Sequence, residues 1–110
     1  MVLIGVSLLN CSSDSTDDLT LPTDPISYSN EIKSIMDNHC TNCHSDPPIN
    51  GAPNALATYA QVRIAAESGI LLDRVELAPG SPGVMPPFGS TLTSTQIDFI
   101  KEWMENGYIE

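Results

Sequence analysis

Cys40-Thr41-Asn42-Cys43-His44 is the stretch on which the reading of this chain turns: two thiols three positions apart, with an imidazole directly after the second. That spacing is the attachment signature of a c-type haem. Each thiol adds to one of two vinyl groups on the same side of a porphyrin, and two intervening residues in a helical stretch keep the pair near one face. The neighbouring imidazole then lies under the ring, with one nitrogen directed at the iron from the proximal side. The expected cofactor is one haem c, joined through Cys40 and Cys43 and ligated by His44.

Two other uses of a CxxC pair compete with this. A structural zinc wants a second pair of ligands, and the remaining Cys and His are Cys11, beside an apolar N-terminus, and His39, in the same turn. A dithiol redox motif caps a helix that follows a strand, and no β-rich apolar run precedes Cys40.

Haem iron also takes a second axial ligand, and the sequence offers methionines. Met36 lies four residues before Cys40 on the helix that already serves the proximal side, so it cannot easily reach the opposite face. Met104 stands at helical spacing with Ile97 and Ile100 and reads as core. Met85 lies within Leu77-Ala78-Pro79-Gly80-Ser81-Pro82-Gly83-Val84-Met85-Pro86-Pro87-Phe88-Gly89, where four prolines and three glycines exclude helix and central strand. Such a loop is stiff and presents one thioether, so Met85 is the expected second ligand.

The flanking pattern is helical. Ser27 or Ser29 can cap a helix starting near Asn30, with Ile32, Ile35, Met36 and His39 at three- and four-residue steps leading into Cys40. Pro47, Pro48, Gly51 and Pro53 make the next stretch irregular. Thr58-Tyr59-Ala60-Gln61 and Thr93-Ser94-Thr95-Gln96 both have capping-box form. The first opens a helix with Tyr59, Val62 and Ala66 on one face, stopped by Gly69, and a short helix over residues 71–77 follows. The second opens a helix through Ile97, Phe99, Ile100, Trp103 and Met104 to Gly107.

Together these features resemble a small bacterial cytochrome c domain of the class I type, over residues 28–107. The resemblance rests on Cys40, Cys43 and His44, on Met85-Pro86-Pro87-Phe88-Gly89, and on a last helix ending in Trp103 then Gly107. It implies an all-α cytochrome c fold, about four short helices around one covalently attached haem c, and single-electron transfer as the activity. The functional expectation is an electron carrier rather than an enzyme, passing electrons between envelope redox partners. The alternatives left open are a haem-based sensor or gas-binding module, which needs a displaceable sixth ligand, and a cytochrome subunit of a larger oxidoreductase.

Length and charge bound the rest. The 110 residues support one compact domain, with no internal repeat. Fourteen acidic residues against four basic give a formal charge of −10, which makes nucleic acid an unfavourable partner and favours redox proteins with a basic docking patch. A domain of about 84 residues, starting at Ser27, is near the length where one apolar core is marginal. A flat apolar cofactor would supply the missing surface, so the haem-free chain is expected to be loosely packed or unfolded.

Residues 1–10 read as a signal-peptide-like segment: the apolar run from Val2 to Leu9 is far shorter than the ~20 residues of a membrane-spanning helix. Leu8-Leu9-Asn10-Cys11 resembles a bacterial lipoprotein processing site, although Asn10 stands where a small residue is usual and no Lys or Arg precedes the run. A lipid on Cys11 would be the membrane attachment. Residues 11–26 then form an acidic tether reaching on the order of 20 Å, ahead of the cytochrome domain at 27–110. The resemblance implies haem attachment outside the cytoplasm, which agrees with a cell-envelope location. Three tempting residues are discounted: His39, because His44 holds the motif position; Arg74, because Asp73 and Glu76 offer ordinary ion-pair partners; and Trp103, which reads as core.

Overall fold

The computed structural model describes residues 24–110, and all regular secondary structure among them is helical, with no strand. The expectations for residues 1–10, for Cys11 and for the tether up to residue 23 lie outside the described residues. No helix among the described residues is long and apolar enough to cross a membrane.

The first helix begins two residues earlier than the pattern suggests. Ser27, in extended conformation, accepts from Asn30 N–H through its hydroxyl at 3.2 Å, and its own N–H donates to the Glu31 carboxylate at 2.9 Å. This reciprocal cap lets Tyr28 join the helix. The opening turn, Tyr28–Ile32, is π-wound, with Ile32 and Lys33 each donating five residues back, and runs directly into α1 (Lys33–His39). Tyr28, Ile32, Ile35 and Met36 form one buried stripe along the combined helix.

Both capping boxes are formed. Thr58 and Gln61 open α2 (Tyr59–Glu67), and Thr93 and Gln96 open α4 (Ser94–Glu105). Between α2 and the short α3 (Ile70–Val75), Gly69 takes a φ of 87°, a left-handed turn that glycine adopts without strain. Helix α3 is thus offset by one residue at its start and ends before Leu77, which lies beyond the last turn and is 37% exposed. Replacing Thr93 with Ala removes one half of its box and is expected to cost about 1 kcal/mol, read as a lower guanidinium midpoint at unchanged m-value.

The π-turn packs on α4, α2 on α3, and α3 on α4. At the centre stands Trp103, fully buried, with the rings of Tyr28, Tyr59 and Tyr108 at centroid distances of 6.2, 6.3 and 5.1 Å. Its Nε1 donates to Ile109 O at 2.9 Å, so the polar end of the indole is satisfied by the chain's final turn rather than by a ligand. The same segment is fastened to the first helix, where Tyr28 and Ser29 N–H donate to Ile109 and Glu110 O, both at 2.8 Å. Met36 is fully buried and Met104 packs against this core.

Candidate functional site

The five-residue motif forms a single tight turn at the end of α1. Cys40 and Thr41 N–H donate to Met36 O, closing the helix, and Cys43 and His44 N–H then both donate to Cys40 O, at 3.2 and 2.9 Å. Two thiols and an imidazole are thereby gathered on one loop of backbone. Burial pushes the Cys40 thiol up to about 11. Cys43 is partly exposed, and its sulfur accepts from Asn50 Nδ2 at 3.8 Å.

The irregular stretch that follows turns back to hold His44 twice. Leu56 N–H donates to His44 O at 2.7 Å, and His44 Nδ1 lies 2.7 Å from Asn54 O. A carbonyl oxygen only accepts, so Nδ1 is the donor here, and in the neutral ring Nε2 keeps its lone pair. This second contact fixes ring orientation and tautomer in the way a metal-binding imidazole requires.

Met85 comes from the other side. Its N–H donates to Arg74 O at 3.1 Å, which docks the proline-rich loop on α3. The motif turn and the Met85 loop line one cavity of about 570 Å³, within the ~300–1,000 Å³ range of ligand and cofactor sites. Leu56, Ala65, Leu71 and Val75 give it an apolar floor, and Pro86, Pro87 and Phe88 extend the Met85 wall. Phe88 is 97% exposed in a left-handed conformation, φ 64°. Neither Met36 nor Met104 lines the cavity.

The donor set suits iron already held by four porphyrin nitrogens, which needs one ligand on each side. Among the described residues no group of three or more His, Cys, Asp or Glu side chains converges to hold a bare metal ion. Two thiols, a Nδ1-protonated imidazole, a thioether and an apolar floor on one cavity fit a covalently attached haem.

Three residues differ from, or add to, what their sequence context suggests. Arg74 pairs with neither Asp73 nor Glu76: Glu76 is taken by Lys101 at 2.7 Å, and Arg74 instead lines the cavity and donates through Nη1 to Gly83 O at 3.3 Å. His39 is partly exposed and also lines the cavity. Its Nε2 faces Gln96 Nε2 at 3.2 Å; because the Gln96 oxygen is occupied by Thr93 N–H, the Gln96 amide nitrogen donates and His39 Nε2 accepts. Asn54 acts through its main-chain oxygen, which no side-chain pattern announces.

The chain matches no family model, no curated protein and no solved structure.

Proposed function

We propose that this protein is a single-haem c-type cytochrome of the class I type, an electron carrier of the bacterial cell envelope rather than an enzyme. The observation that supports this most is the meeting of the Cys40–His44 turn and Met85 on the wall of one apolar cavity. Cys40 and Cys43 would hold the group covalently, and His44 Nε2 and the Met85 thioether would ligate its iron. A haem so held supplies a one-electron redox centre in which an imidazole–thioether pair favours the ferrous state and raises the potential.

The protein's own residues supply binding, orientation and exclusion of water. Asn54 O holds the His44 ring, Arg74 O and the stiff prolines hold the Met85 backbone, and the apolar floor keeps solvent from one face. The net charge of −10, made more negative by the propionates, favours encounter with partners carrying a basic patch, an attraction that weakens as salt rises.

A pyridine haemochrome spectrum of protein matured in a competent host tests the attachment, with two thioether bonds expected. Carrier and gas-binding readings separate at Met85. The reduced parent is expected to resist CO without denaturant. Met85→Ala is expected to bind it readily and to lose on the order of 100 mV of midpoint potential. Equal CO binding by parent and variant would remove Met85 from the ligand set and favour a sensor or gas-binding module.

A further inference from the structure

We propose that Arg74 is a positioning residue that sets where the Met85 thioether stands, an inference that rests on reading the cavity as a haem site. Arg74 grips the Met85 loop at two points. Its carbonyl oxygen accepts from Met85 N–H at 3.1 Å, and its guanidinium Nη1 donates to Gly83 O at 3.3 Å. Between these points Val84 is buried, so the backbone on either side of it is tied to Arg74 ahead of the side chain that faces the cavity.

At Gly83 the guanidinium lies directly against the loop backbone. Gly83 has a φ of 85°, and a Cβ there would overlap Arg74 Nη1 and lie 3.5 Å from Cζ. The other loop glycines, Gly80 and Gly89, have nothing within 4 Å of where a Cβ would stand. Backbone conformation alone calls for glycine at all three, and at Gly83 a Cβ would in addition push the end of the Arg74 side chain off its present hydrogen bond.

The charge pattern points the same way. Lys33, Arg63 and Lys101 are each paired with a carboxylate, of Asp37, Glu67 and Glu76. Arg74 has no such partner among the described residues, although the chain is strongly acidic. Its guanidinium is committed to a main-chain oxygen of the loop, at the rim of the cavity. Without that donor, Gly83 O is left to water, and the segment that carries Met85 loses one of its fixed points.

The test uses matured, haem-loaded protein with Arg74→Ala, Arg74→Lys and Gly83→Ala, probed with CO after reduction. The Met-to-iron charge-transfer band of the oxidised form and the midpoint potential are measured alongside. Arg74→Ala is expected to raise CO affinity about tenfold, the scale of a lost hydrogen bond from a charged donor, to weaken the band and to lower the potential. Gly83→Ala should do the same from the other partner, and Arg74→Lys, which keeps a cationic donor, should lie between Arg74→Ala and the parent. Parent-like CO affinity and band in Arg74→Ala, or a Lys variant indistinguishable from Ala, overturns the assignment. A haemochrome spectrum of each protein keeps the two ideas apart: a parent without thioether-linked haem defeats the functional reading itself, whereas intact haem with an unresponsive Met85 defeats only the role of Arg74.

Discussion

Replacing Cys40 and Cys43 together with Ala is expected to turn a coloured protein into one that holds no haem through denaturation. The two sulfurs are the only atoms of the cavity wall that can form thioethers: among the described residues Cys40 and Cys43 are the only cysteines, and both are free thiols. The contacts proposed for His44 and Met85 would remain, so some pigment would still associate. It would be released into acidified organic solvent, where the parent's would stay with the polypeptide. Single substitutions separate the two bonds, since one surviving thioether keeps the pigment attached while shifting the haemochrome maximum. Solvent-stable pigment in the double variant would show that the attachment lies elsewhere and would leave the Cys40–His44 turn without its assigned chemistry.

The second large effect is on folding. The haem-free chain is expected to melt without a sharp transition, or to be unfolded at ambient temperature, whereas the haem-loaded protein is expected to melt cooperatively. The cavity sits between α1, α2, α3 and the Met85 loop, and its volume of about 570 Å³ is a large hole for so small a domain. At ~24 cal/mol per Å³, an enclosed void of about 570 Å³ would cost on the order of 14 kcal/mol. This cavity opens to water at its mouth and so costs less, but its apolar floor still lacks packing partners in a domain whose whole stability is on the order of 5–15 kcal/mol. A group that binds only the folded state would offset that cost.

Cys40 reports the outcome residue by residue. Its thiol, ordinarily at 9.0, is held at about 11 by burial in the folded arrangement. A raised value means that protonated Cys40 favours the fold fully below pH 9 and that this contribution disappears as pH climbs through 11. At neutral pH a folded haem-free chain would expose far less thiolate at Cys40 than an unfolded one. Alkylation at comparable rates on Cys40 and Cys43 is the expected result for a chain that has lost its packing. A marked lag at Cys40, together with a cooperative melt close to that of the loaded protein, would refute the dependence on cofactor.

The helices were largely legible before the structure, because their signals are local. Thr58 with Gln61 and Thr93 with Gln96 each mark a start through hydrogen bonds within one turn, and Gly69 marks a stop through its own backbone. The first helix began early because Ser27 found its partner in Glu31, four residues on, and so brought Tyr28 into the core. The motif turn was legible for the same local reason.

What escaped were contacts made by the main chain over longer separations. Asn54 O on His44, Arg74 O on Met85 and Ile109 O on Trp103 depend on where loops travel, and a carbonyl has no residue identity to read. Arg74 was misjudged because Asp73 and Glu76 are near it in sequence. On a helix of one and a half turns an adjacent residue points elsewhere, and Lys101 of α4 reaches Glu76 first.

The clasp between Tyr28–Ser29 and Ile109–Glu110 bears on how the domain responds to a pull from upstream. The π-turn and α1 together run twelve residues, ~18 Å at 1.5 Å per residue, from Ser27 to the motif turn at their far end. Tension applied through Ser27 would therefore load the main-chain bonds to the last segment before the helix that leads to the motif turn. A leash attached there would pull first on a clasp that stands a helix's length from His44.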